Sequence, residues 1–135
     1  MDITHPAATA ALTAMNAVTA CDRDTWLSCY ADDAVLYDPV GGSPLDPQDA
    51  GIRGRDALRN FWQQAIAPNR VRFDVAAVHT AGREAAVVAT VTTRFPDGSV
   101  VDYDGVFVYA IDQDGHVDSM RGYWDVRRVL SALGL

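Results

Sequence analysis

The sequence predicts an α+β domain, and three features carry that prediction. Apolar residues recur at helical spacing early in the chain: Ala8, Ala11, Leu12, Met15 and Val18, and later Leu58, Phe61, Trp62, Ala65 and Ile66 at i, i+3, i+4, i+7 and i+8. From Val71 the period changes from that of a helix to that of a strand, with Val71, Phe73, Val75 and Ala77 alternating with Arg72, Asp74 and Ala76. The turn signals PDGS and DQDG then separate further strand-like runs. Helices first and a long antiparallel meander last is the order of an α+β fold, with the sheet bent over a helix around a pocket.

In chain order, the first helix is expected from about residue 6 to 20. Asp22 suits the N-cap of a short second helix carrying Trp26, Leu27 and Tyr30. AVLYDP reads as a short strand, and residues 41–54 as a loop rich in Gly, Pro and Asp. RDALRNFWQQAIAP is an amphipathic third helix stopped by Pro68. AAVVATVTTRF, VVDYDGVFVYAI and HVDSMRGYWDV complete the strands. No repeat, low-complexity tract or linker divides the chain, so residues 1–135 form one domain.

Composition removes several function classes. The net charge is −7 and the basic residues, all arginines, are scattered, so neither nucleic acid nor an anionic membrane is an expected partner. The absence of lysine excludes Schiff-base chemistry and a phosphate-loop lysine. No run approaches the ~18–20 apolar residues of a membrane helix. MDITHPAATAALTAMNA lacks a basic leader, and a cytoplasmic protein is expected. Cys21 and Cys29 are expected as reduced thiols. His5, His79 and His116 lack ligand spacing, so no metal and no cofactor are expected.

One short stretch poses the functional question. ADDAVLYDPVGG places Asp38 between an apolar run and a turn. Such an acid either caps a turn before Pro39 or serves as a base at the mouth of a pocket. Asp102 and Asp104 read as a solvated strand face, and Arg53 and Arg55 either open the third helix in solvent or meet an anionic ligand group.

The segments CDRDTWLSCYADDAVLYDPVGG, GIRGRDALRNFW and DGHVDSMRGYWDV resemble the ketosteroid isomerases and their actinobacterial relatives, within the nuclear-transport-factor-like cone fold. The resemblance implies three helices packed on a strongly curved antiparallel sheet that forms a cone with an apolar pocket. It also implies a homodimer and a small hydrophobic ligand, steroid-like or polyketide-like. The family base falls in the D-P-x-G element, which carries it to Asp38. The family's two oxyanion donors, a tyrosine and a protonated aspartate, fall on Ala14 and Phe107, neither of which can donate. Tyr30 matches a tyrosine that supports the missing one, Trp62 replaces another tyrosine of that network, and Trp124 matches an aromatic lining the pocket. Met120 shares a face with Gly122 and Trp124 on the last strand. Asp38 is thus the expected catalytic residue, with Tyr30, Trp62, Phe107, Met120 and Trp124 as substrate contacts. The implied reaction is intramolecular proton transfer on a steroid-like or polycyclic ketone. Non-catalytic binding of such a ligand and a polyketide cyclase-type closure are the alternatives.

Overall fold

Small residues set how closely the first helix approaches the sheet. The computed structural model describes residues 4–135. Helix α1 (Pro6–Thr19) buries Ala7, Ala8, Ala11, Ala14, Met15, Ala17 and Val18. An alanine face lets the helix lie deep in the concave sheet, against β3, β4 and β5, without a bulky side chain holding it off. His5 caps it, its Nδ1 accepting the Ala7 amide at 3.1 Å. Asp22 caps α2 (Arg23–Ser28) through a 3.2 Å bond accepted from the Thr25 amide, as its place in the sequence implied.

The third amphipathic segment divides into two forms. Helix α3 (Arg55–Phe61) runs into a π-helical turn, Trp62–Ile66, where the Ala67 amide reaches back to the Trp62 carbonyl at 2.8 Å. Arg55, the first residue of α3, is structural. Its guanidinium donates to the Tyr30 carbonyl at 3.0 Å, to the Leu27 carbonyl and to Asp32 at 3.2 Å. It thereby ties α3 to the end of α2 and the start of β1. Trp26 anchors the same corner, with ring centroids 4.9 Å from Tyr30, 5.3 Å from Trp62 and 6.2 Å from Phe61.

Six strands follow the order β2-β1-β6-β5-β4-β3: β1 (Tyr30–Tyr37), β2 (Ile52–Arg53), β3 (Arg70–Ala81), β4 (Glu84–Arg94), β5 (Val100–Ile111) and β6 (Val117–Tyr123). The meander β3–β4–β5–β6 is antiparallel as expected, and β1 joins it parallel to β6, a departure from the expected wholly antiparallel sheet. Sequence period does not report strand direction, and β1 reaches β6 only after the chain has circled the core. Register shifts at Val75–Ala77 in β3 and Ala110–Ile111 in β5 bend the strands and curl the sheet. Val87, Ala89, Val91, Phe107 and Tyr109 are buried on the concave face. Asp102 and Asp104 lie on the outer face, accepting bonds from Thr92 at 2.7 Å and Thr90 at 2.8 Å.

The last strand is shorter than expected. It stops at Tyr123, and a fourth helix, α4 (Val126–Ala132), follows, capped by the Asp125 carboxylate on the Arg127 amide. Val126, Val129, Leu130 and Leu133 stand at i, i+3, i+4 and i+7, the spacing of a helix face.

Candidate active site

Strand pairing delivers Asp38 to the inside of the cone. Tyr37 is in register with Arg121, and the Val40 amide donates to the Gly122 carbonyl at 2.8 Å, so Asp38 lies beside Gly122. The next residue toward the interior on that sheet row is Phe107, the partner of Gly122 on β5. The Asp38–Pro39 peptide is cis. The carboxylate forms part of the wall of a cavity of about 310 Å³. Leu36, Phe73, Val91, Phe107 and Met120 make that wall mainly apolar. At the open end stand α4 and the loop bearing Pro44 and Leu45. The loop is tied to itself, with Asp46 accepting the Ala50 and Gly51 amides at 2.9 Å each.

Two opposed effects act on Asp38. Burial among apolar groups disfavours the ionised form, and the Trp124 indole, donating to Oδ1 at 2.6 Å, favours it. Burial wins: the carboxyl is pushed up from 3.8 to about 6. Its surface is partly open to the cavity, and the desolvation comes from the wall around it. Among the described residues no arginine pairs with Asp38, so no opposite charge pulls it back. Trp124 is itself held by Tyr103, stacked with centroids 4.4 Å apart and ring planes at 29°. Gly122 makes the arrangement sterically feasible. A β-carbon there would lie 2.8 Å from Asp38 Oδ1 and 3.1 Å from Trp124 Nε1.

Five of the six expected site residues, Asp38, Tyr30, Phe107, Met120 and Trp124, meet around the cavity. Trp62 does not line it. It is buried behind the wall against Trp26, and Trp26 supplies the aromatic surface instead. Phe61, Trp62, Ala65 and Ile66 share one apolar stripe, and spacing alone does not separate its cavity side from its core side. Tyr103 and Tyr109 also line the cavity and were not singled out from the sequence. The signal was available, since both share Phe107's parity on β5. Burial holds the Tyr30, Tyr103 and Tyr109 phenols well above the usual tyrosine range, and the Asp38 charge adds to this in all three. Cys21 and Cys29 are free thiols, and no cluster of His, Cys, Asp or Glu suited to a metal occurs among the described residues.

A family model for the SnoaL-like domain matches residues 11–120. The chain belongs to the SnoaL-like family. Within that family the SnoaL-like chain is similar to a Δ5-3-ketosteroid isomerase from Mycobacterium sp., at 35% identity and a TM-score of 0.86, covering 92% of this chain and 96% of that one. It is also similar to RV0760c from Mycobacterium tuberculosis in complex with estradiol-17β-hemisuccinate, at 32% identity and a TM-score of 0.86, covering 92% and 97%. A computationally designed 17-OHP binder matches at 29% identity and a TM-score of 0.87, covering 92% and 96%. These matches establish the cone fold and a ketosteroid-isomerase-like SnoaL domain.

Two outcomes follow from the Asp38 environment. The folded state holds the Asp38 proton more tightly than the unfolded chain does, so its stability falls as pH rises from 3.8 through about 6 and the cost persists above. Asp38→Asn removes that cost and should raise unfolding free energy at neutral pH by about 1–3 kcal/mol, with the gain fading under acid. Urea titrations of both proteins across that range measure it. Gly122→Ala should break the Trp124–Asp38 hydrogen bond. The Trp124 indole N–H resonance, expected far downfield beside a carboxylate, would then move upfield.

Proposed function

We propose that this chain is a ketosteroid-isomerase-like enzyme that moves a proton between two carbons of a polycyclic enone, with Asp38 as general base. Asp38 takes the proton as the C–H bond breaks, the electron pair spreads into a dienolate, and the same carboxyl returns the proton to the second carbon. The observation that carries this proposal is the single carboxylate on an apolar cavity wall, with its pKa raised to about 6. Such a group is ionised at neutral pH yet holds a proton more firmly than an exposed aspartate, the balance proton shuttling requires. The cavity of about 310 Å³ has the size and apolar lining of a small-molecule site. Similarity to the mycobacterial isomerase, and the steroid ligands named for two relatives, support a steroid-like or similarly flat hydrophobic ligand. Pairing of two copies through the outer sheet face and a cytoplasmic location belong to the same proposal, on family resemblance.

A second reading, a binding protein without turnover, is favoured by Ala14 and Phe107. Both are buried and neither offers a hydrogen bond where the family has its donors.

An ultraviolet assay with 5-androstene-3,17-dione separates the two. Growth of conjugated-enone absorbance is expected for the wild type. Asp38→Asn should slow it about 10²–10⁴-fold while ligand affinity, followed by tryptophan quenching, is retained. The rate should rise with pH up to about 6 and then level, because the base must be ionised. Tight binding with no absorbance change would select the binding protein, and full turnover by Asp38→Asn would remove Asp38 from the mechanism.

A further inference from the structure

Taking a proton from an enone leaves negative charge on the carbonyl oxygen, and an isomerase needs a donor there. Neither tryptophan expected at the site is available for this. The Trp124 N–H is committed to Asp38, and Trp62 stands outside the cavity. Of the remaining polar groups on the wall, Asn69 donates to the Ala65 carbonyl at 2.7 Å, and Tyr103 is hydrogen-bonded to Thr93. Tyr30 accepts a hydrogen bond from Trp26, which engages its oxygen and leaves its O–H free, so the test must include Tyr30 as the comparison.

Tyr109 is different. It is 4% exposed, it lines the cavity, and no hydrogen bond reaches its hydroxyl among the described residues. Yet no buried side-chain oxygen or nitrogen among those residues is left without a partner. The Tyr109 hydroxyl is therefore open to the cavity, with neither a donor nor an acceptor beside it. Its position suits the role. Tyr109 pairs with Met120, which pairs with Leu36, one row deeper than the row formed by Asp38, Gly122 and Phe107. Two residues along a strand span about 7 Å, so the phenol lies further into the cone than the base. A flat ketone entering oxygen-first would meet the phenol with its oxygen and the carboxylate with its adjacent carbons.

We propose that Tyr109 donates the hydrogen bond that stabilises the substrate oxyanion, from the β5 position two residues beyond Phe107. This assignment rests on the isomerase function proposed above. Burial and the nearby Asp38 charge both hold the phenol in its neutral, donating form.

The test combines turnover of 5-androstene-3,17-dione with the infrared carbonyl stretch of bound 4-androstene-3,17-dione, carbon-13-labelled at the 3-keto group. In the wild-type protein the stretch should move to lower frequency than in hydrocarbon solvent. Tyr109→Phe should lose that shift and about 10²–10³ in turnover. Asp38→Asn should keep the shift and lose turnover. Tyr123→Phe, on the exposed outer face, should change neither. A retained shift or full turnover in Tyr109→Phe overturns the assignment and leaves the base in place, as does loss of the shift in Tyr30→Phe but not in Tyr109→Phe. A shift lost in Tyr109→Phe together with full turnover by Asp38→Asn upholds the donor and removes the base. A wild-type protein that does not bind the ketone removes both.

Discussion

A carboxylate held against an apolar cavity by one indole N–H is the interaction on which the rest of the site depends. Desolvating Asp38 costs free energy, and the bond from Trp124 at 2.6 Å returns only part of it. The remainder appears as a raised affinity for the proton. The rest of the fold has to supply that cost. It does so through the buried alanine face of α1, the aromatic corner around Trp26 and the Arg55 bonds to the Tyr30 and Leu27 carbonyls. Stability is lost at one atom pair, and the carboxylate gains the proton affinity that the proposed base requires.

Geometry at the site follows from backbone choices some distance from it. Bulges in β3 and β5 curl the sheet, and the parallel pairing of β1 with β6 sets the end of β1 beside Gly122. There the missing side chain lets the aspartate and the indole meet. Tyr103, stacked on Trp124, fixes the indole plane and joins β5 to this arrangement. The cavity mouth is built differently. No residue of α4 is fully buried, so the helix covers the opening with its apolar face while adding little to the core.

Much of this was legible in the residues. The change of apolar period at Val71 separated helices from strands, and the Asp22 cap and the turns at PDGS and DQDG fell where side-chain chemistry put them. Asp104 faces outward because parity in a regular strand demands it. Other features were not legible or not read. The π-helical turn after Phe61 is invisible to a periodicity of 3.6, and the direction of β1 against β6 depends on tertiary circuit alone. The resemblance implies a cavity role for Trp62, whereas the packing buries it against Trp26, behind the wall. Tyr109 and the α4 pattern carried usable signals, parity in one case and i, i+3, i+4, i+7 spacing in the other.

The ionisation of Asp38 itself is the most direct measure of the central claim. Carbon-13 NMR of side-chain-carboxyl-labelled aspartate, with the Asp38 signal assigned by its absence in Asp38→Asn, follows that single group through a pH titration. A midpoint near 6 is the expected result. A midpoint at or below 3.8 would mean that the carboxylate is fully solvated or fully compensated, and the base proposed for this cavity would not exist.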